Sequence, residues 1–341
     1  MVPVPVPVPA PVVLGAERTP ETDPAGASRR SVACAVMADG RFAPSPTGEL
    51  HLGNLRTALV AWLCARSAGS RFLVRMEDLD QNASRPQLVD RQLDELAALG
   101  LDWDGPVVRQ SDRLDLYRSA IDRLDRDGLT YPCYCSRREI REAVSAPNGP
   151  GPDGAYPGTC RALTDGQRRA REDAGRPPAL RVHGEGVTIA FVDRFAGAYE
   201  GAVDDVVIRR NDGTPSYNLV VVVDDVDQGV GEVVRGDDLL ASTPRQLHLA
   251  DRLGLTPPTY AHVPLVLAPD GTRLAKRDGA VTLEDRAARG IDAARVLGEL
   301  AASLGLAAPG EPVTPARVLE RFPTTVLPRD PWTLTVDELA P

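Results

Sequence analysis

The sequence predicts an α/β fold organised around a parallel sheet, with a cysteine-bearing insertion and a small C-terminal helical region. Three observations carry this. Strand and helix patterns alternate from Arg41 onward; residues 133 to about 200 interrupt them with Gly, Pro, Arg and three of the five cysteines; and helical spacing returns beyond residue 285. A chain of 341 residues is about twice an average domain, so two or three folded units are expected. With 43% hydrophobic and 26% charged residues, it has the apolar content of a globular core.

Met1 to Leu14 alternates Val with Pro at Pro3, Pro5, Pro7, Pro9 and Pro11, which favours extended polyproline conformations and cannot propagate a helix. It has no basic start, uninterrupted apolar helix or cleavage site, so it does not read as a signal peptide, and residues 1–38 are expected to be a disordered tail. The first half of the sheet is expected over 39–132. There the loop Ala43, Pro44, Ser45, Pro46, Thr47, Gly48 leads into Leu55, Leu59, Trp62 and Leu63, which share one helical face, and Gly69 closes that helix. Arg71 to Glu77 reads as a strand, and Leu88, Leu93, Leu96, Ala97 and Leu99 up to Gly100 as a second helix. The insertion is expected over 133–200 and the second half of the sheet over 201–285. In the latter, Leu219 to Val223 is a continuous β-branched run ended by Asp224 and Asp225, and reads as a strand buried on both faces; Val263 to Leu267 reads as another. Val296, Leu297 and Leu300 place one small helical unit within 286–341. No uncharged apolar run of about 18 residues occurs, so no membrane span is expected.

Lys plus Arg number 39 against 48 Asp plus Glu, a net charge of −9 that excludes a uniformly basic nucleic-acid coat. A structured RNA would have to meet a local arginine patch. Five cysteines, few and odd in number, suit a reduced cytoplasm rather than a disulfide framework.

Two segments bear phosphate chemistry. His51, Leu52, Gly53 and Asn54 stand where a loop becomes a helix, a place whose N–H groups and dipole favour phosphate; a capped helix with an incidental histidine is the plain alternative. Arg273, Lys276 and Arg277 put three cations in five residues, a loop able to fold over a triphosphate or simply a solvated basic turn. In the insertion, Cys133, Cys135 and Cys160 supply three thiolates for zinc, with Tyr156 nearby in sequence and His183 a candidate fourth ligand on chemical grounds; three free cysteines are the alternative. Cys34 and Cys64 read as bystanders. No Ser-His-Asp or Cys-His constellation stands out.

Taken together, the run from Arg41 to Asn54 closely resembles the first signature of class I aminoacyl-tRNA synthetases, glutamyl in flavour, and Arg273 to Arg277 resembles their lysine-rich second signature. Arg75 to Asp80, Arg109 to Arg113, Pro215 to Asn218, Val223 to Asp225 and Val234 to Gly236 extend the likeness over residues 40 to 285. Within that group the chain is most similar to glutamyl-Q tRNA(Asp) synthetases, short relatives of glutamyl-tRNA synthetase. Arg273 stands where the signature has its first Lys and Ala275 where it has Ser, so one hydroxyl is lost and the charge is kept.

The resemblance implies a Rossmann-like doubly wound parallel sheet with an inserted zinc-containing subdomain. It implies a glutamate site of Arg41, Phe42, Ala43, Pro44, Ser45, Glu77, Tyr217 and Arg235. ATP, carrying Mg²⁺, would meet His51, Gly53, Asn54, Arg273, Lys276 and Arg277, with His51 and Lys276 catalytic, and zinc would be held by Cys133, Cys135, Tyr156 and Cys160. The implied reaction is tRNA-independent formation of glutamyl-adenylate, then transfer of glutamate to the queuosine base at the wobble position of tRNA(Asp), whose backbone Arg137, Arg138, Arg141, Arg161, Arg168 and Arg169 would line. A cytoplasmic monomer is expected. The rival readings are a truncated enzyme charging tRNA(Glu), a non-catalytic zinc and RNA-binding module, and a nucleotidyltransferase of the same superfold.

Overall fold

The computed structural model describes residues 12–13, 39–80, 83–136, 138–140, 155–184, 186–274, 282–322 and 327–336. The first element, β1 (Val12–Val13), pairs in parallel with Ile189 and Ala190 of β7 (Thr188–Asp193), so strand replaces the expected lack of structure at these two residues. The rest of the segment read as a tail, with Cys34, lies outside the described residues.

The main sheet joins β2 (Asp39–Phe42), β3 (Phe72–Met76), β4 (Val108–Arg109), β10 (Val230–Gly236) and β11 (Thr259–Val263) in the order β11-β10-β2-β3-β4. Every neighbouring pair is parallel, as the alternation of strands and helices requires. Helix α1 (Leu52–Ser67) links β2 to β3 and closes at Gly69, whose φ of 67° suits a residue without Cβ. Helix α2 (Pro86–Ala98) links β3 to β4, its proline in the first turn where no N–H is needed, and α3 (Leu114–Arg126) follows β4.

Successive strand residues serve opposite cores. Phe42, Val74 and Val234 join the core of α1, α8 (Ala293–Ser303) and α9 (Pro315–Arg321). Val230, Val233 and Tyr260 join that of α3, α5 (Tyr217–Asp227) and α6 (Thr243–Arg252). The helical patterning at Val296, Leu297 and Leu300 is realised in α8.

Leu219 to Val223 is not a strand but the heart of α5. The Ser216 side chain accepts the Leu219 N–H and opens the helix, and all five apolar residues are buried because α3, α6, β9 (Val206–Arg209) and β10 surround it. A helix that is apolar on every side loses its 3.6-residue signal and looks like a doubly buried strand. The segment Val263 to Leu267 divides: β11 ends at Val263, and β12 (Val266–Leu267) pairs with β13 (Trp332–Thr333).

Between the two halves of the sheet, β5 (Thr130–Cys133), β6 (Ala179–Val182) and β9 form an antiparallel sheet, with α4 (Asp165–Asp173) before β6 and the hairpin of β7 and β8 (Gly197–Ala202) after it. Helix α7 (Leu283–Ala288) starts after Thr282, which bridges back to His51. Among the described residues no helix is long and apolar enough to cross a membrane.

Candidate active site

In a parallel sheet the carboxyl ends of all strands lie on one edge, and a crevice opens where chain connections leave in opposite directions. Here that point lies between β2, which continues to β3, and β10, which continues to β11. A cavity of about 490 Å³ sits there. Arg41 and Phe42 end β2, Glu77 follows β3, and Arg235 is the penultimate residue of β10; all four line the cavity. Ala43, Pro44 and Ser45 continue its wall from β2, and Tyr217, the first residue of α5, faces it with 41% of its surface exposed. His51, Gly53, Asn54 and Arg273 form the other end.

The loop from β2 to α1 is clamped from α2. Gln92 Nε2 donates to the carbonyls of Ser45 and Gly48 at 3.1 and 2.6 Å, and the Leu50 N–H donates to Glu95 Oε2 at 3.0 Å. Sequence reasoning located this helix by its leucines and missed both clamps, since a polar residue on a helix carries no mark of what it will meet. The loop delivers His51 as the N-cap of α1. His51 Nδ1 accepts the N–H groups of Gly53 and Asn54 at 3.1 and 3.3 Å, while Asn54 Oδ1 accepts the His51 N–H. Proton counting then places the ring hydrogen on Nε2. A Cβ on Gly53 would lie 3.0 Å from the imidazole, so glycine is what lets the ring fold back. The helix start therefore offers its dipole and an imidazole donor, because the N–H groups of Gly53 and Asn54 are spent on the cap.

At the same end, Arg273 Nη1 lies 2.6 Å from Asp238 Oδ2, a partner at the cavity wall that the motif reading did not foresee. Lys276 and Arg277 lie outside the described residues.

The opposite end is a buried ionic network. Arg41 Nε meets Asp225 Oδ1 at 3.3 Å and its Nη1 donates to the Val234 carbonyl at 2.8 Å. Arg75 Nη1 donates to Asp225 Oδ1 and Gln228 Oε1 at 2.8 and 2.7 Å, with Asp224 and Glu77 oxygens 3.5 and 3.8 Å from its other nitrogens. Gln110, Arg113 and Tyr117 hold Asp224 from the other side. Burial pushes the Glu77 carboxyl up to about 7, against the pull of Arg75 and Arg41.

Arg235 differs from Arg41. It is 5% exposed, yet its nitrogens reach only neutral acceptors: His262 Nε2 at 3.0 Å, Gln246 Oε1 at 2.7 Å, Thr243 Oγ1 at 2.8 Å and, more distantly, the Leu239 carbonyl. Among the described residues no carboxylate forms an ion pair with it. A buried cation so placed is stabilised by an anion that enters the cavity.

In the antiparallel unit, the sulfurs of Cys133, Cys135 and Cys160 lie within 4.8 Å of one another. Tyr156 Oη is 3.3 Å from Cys133 Sγ, 3.8 Å from Cys135 Sγ, and accepts the Cys160 N–H at 2.9 Å. His183 contributes no ring nitrogen to that convergent group, so the structure brings Tyr156 and not His183 to the sulfurs. Three convergent sulfurs and one phenol oxygen, all largely removed from water, fit a four-coordinate soft cation such as zinc. Of the arginines read as an RNA-facing row, Arg161, with 47% of its side chain exposed, pairs through two nitrogens with the buried Asp205, and Arg168 faces Asp165 at 3.9 Å. Arg138 and Arg169 are exposed, and Arg137 and Arg141 lie outside the described residues.

Comparison with known proteins agrees with this geometry. The family model described as tRNA synthetases class I (E and Q), catalytic domain, matches residues 38–311. The chain is similar to a glutamyl-Q tRNA(Asp) synthetase of Nocardia farcinica, 60% identical over 296 residues that cover 87% of this chain and 93% of that protein. It is also similar to one of Symbiobacterium thermophilum, 49% identical over 316 residues covering 89% and 98%. Among solved structures, a glutamate-tRNA synthetase from Elizabethkingia anophelis shares the fold with a TM-score of 0.74 and 25% identity, covering 89% of this chain and 69% of that one.

Proposed function

Because this chain belongs to the glutamyl-Q tRNA(Asp) synthetase family within the class I tRNA synthetases, we propose that it activates L-glutamate with ATP and passes the glutamyl group to queuosine in tRNA(Asp). The observation that carries this reading is one cavity holding two buried guanidiniums and the half-buried Glu77 carboxyl at one end and the His51 helix start at the other. A substrate with one ammonium and two carboxylates complements that set. Glu77 takes the α-ammonium, Arg41 and Arg235 take carboxylates, and Ser45 and Tyr217 add hydroxyl contacts. Phe42, Ala43 and Pro44 shape the wall. The sheet, with helices on both faces, is then the Rossmann-like doubly wound domain of this class.

Adenylate formation needs no covalent enzyme intermediate. A carboxylate oxygen of glutamate bonds to the α-phosphorus of ATP as the bond to the bridging oxygen breaks, and pyrophosphate leaves with Mg²⁺. His51, through its Nε2 proton, and Lys276 stabilise the charge gathered there, while Gly53 and Asn54 hold the helix start beneath the nucleotide. Arg273 and Arg277 add cationic contacts. In the second step a hydroxyl of the queuosine cyclopentene ring bonds to the activated carbonyl, the bond from that carbonyl to the AMP phosphate oxygen breaks, and the hydroxyl proton passes to the departing AMP phosphate. Zinc, held by Cys133, Cys135, Tyr156 and Cys160, serves structure rather than reaction. A cytoplasmic monomer belongs to the same reading.

The test uses purified protein, labelled glutamate and ATP. Glutamate-dependent ATP–pyrophosphate exchange is expected without any tRNA, and label is expected in queuosine-bearing tRNA(Asp) but not in tRNA(Asp) lacking queuosine. Label in tRNA(Glu) instead would establish the truncated-enzyme reading, and absence of both exchange and label would overturn glutamate activation, leaving the RNA-binding module and the nucleotidyltransferase.

A further inference from the structure

Behind Arg235 runs a buried chain of hydrogen bonds that the cavity does not touch. Asp193 and His262 are 2% and 1% exposed, and neither lines the cavity. His262, in β11, stands opposite Arg235 in the parallel register with β10, and Asp193 closes β7, so the chain ties the hairpin to the main sheet. Arg235 Nε lies 3.0 Å from His262 Nε2, and His262 Nδ1 lies 2.6 Å from Asp193 Oδ2. Asp193 is itself fixed: its Oδ1 accepts the N–H groups of Phe195 and Ala196 at 3.0 and 2.9 Å, and its carboxylate also takes the His262 backbone N–H.

Proton counting leaves one arrangement. A guanidinium Nε always carries hydrogen, so His262 Nε2 must accept, the ring proton sits on Nδ1, and Asp193 receives it. Burial lowers the His262 pKa, in keeping with a neutral ring. The chemistry explains why histidine rather than a carboxylate touches Arg235. An acid there would neutralise the guanidinium and compete with an incoming anion, whereas a neutral imidazole orients it and keeps Asp193's charge one ring away.

We propose that Asp193 and His262 are positioning residues of the glutamate site: Asp193 sets the imidazole tautomer, and the imidazole holds Arg235 by Nε so that the Nη1 hydrogen not taken by Gln246 is left for the substrate carboxylate. This rests on Arg235 being a glutamate ligand.

Asp193→Asn tests it with the least change in shape. Asn can keep the backbone N–H bonds through Oδ1, but its amide N–H now faces Nδ1, which moves the ring proton to Nε2 and sets two donors against each other at Arg235. The KM for glutamate in pyrophosphate exchange should rise about tenfold or more, with the KM for ATP within about twofold and the thermal midpoint near that of the unchanged protein. A second pair separates packing from hydrogen bonding. His262→Leu fills space without an acceptor, and His262→Gln restores one. The glutamate KM of His262→Gln should lie well below that of His262→Leu. A glutamate KM in Asp193→Asn within about twofold of the unchanged protein, a parallel rise in the ATP KM, or equal values for the two His262 variants would overturn the proposal. If Asp193→Asn does not fold, the His262 pair decides alone. Absence of glutamate-dependent exchange in the unchanged protein would instead sink the assignment of the site, and the relay with it.

Discussion

Glu77 shows how a single residue can couple the site to pH. Burial raises its pKa from an ordinary 4.5 to about 7, only partly opposed by Arg75 and Arg41. The folded protein thus holds this proton more tightly than the unfolded chain. That contribution to stability is complete below about pH 4.5 and is lost as pH rises through about 7. Ligand binding runs the other way, because an ammonium needs the carboxylate form. Glutamate affinity should improve between about pH 6 and about pH 8, and binding near pH 7 should release a fraction of a proton. Calorimetry in buffers of different ionisation enthalpy measures that fraction, and Glu77→Gln should bind weakly with none released. A pH-independent affinity in the unchanged protein would remove Glu77 from the site. At this scale much was legible in the sequence: Arg41, Glu77, Tyr217 and Arg235 are far apart in the chain but meet in one cavity. What touches them from behind was not. Asp193 and His262 sit in otherwise ordinary strand segments, and only the register of β10 with β11 brings His262 beside Arg235.

Helix α5 teaches the complementary lesson among elements. Its five consecutive apolar residues carry no period, and the clues to its state were at its edges: Ser216 ahead of it as a cap, and two adjacent acids inside it rather than after it. As a strand, Asp224 and Asp225 would have marked a turn to solvent; as a helix, both are buried, at 0% and 3% exposure, and hold Arg41, Arg75 and Arg113. The helix is thus the counter-ion of the sheet's carboxyl edge. Asp225→Ala would strip Arg75 of its shortest carboxylate contact and Arg41 of its carboxylate partner, leaving two buried cations short of charge. Unfolding in urea should show a loss of about 3–5 kcal/mol, the usual penalty for removing one partner of a buried pair. A loss below about 1 kcal/mol would mean that water or Glu77 compensates, and that the network is less closed than its geometry indicates.

Across the whole molecule, the cysteine cluster and the cavity proposed for glutamate are neighbours through a second cavity of about 910 Å³, whose walls include Ser45, Glu77 and Tyr217 on one side and Cys133, Tyr134 and Cys135 on the other. The two halves of that wall are held by different forces. The parallel sheet rests on two large apolar cores, whereas Cys133, Cys135, Tyr156 and Cys160 belong to a small third cluster of mostly cysteine and tyrosine. So little apolar surface stabilises a fold weakly without a cross-linking ion. The strands beside it are anchored independently, since Leu180, Val182, Val206 and Ile208 of β6 and β9 pack into the second large core. Losing the proposed zinc should therefore loosen the cysteine knuckle without opening the proposed glutamate site. In Cys160→Ser, bound zinc should fall from about one per chain to near zero and hydrogen exchange should quicken over residues 155–163. Glutamate-dependent pyrophosphate exchange should stay within a few fold, while transfer to queuosine-bearing tRNA(Asp) should drop by about tenfold or more if the proposed acceptor enters past that wall. Two results would break this division of labour: zinc retained at full occupancy, which would place the ion elsewhere, or exchange and transfer falling together, which would make the knuckle part of the activation site.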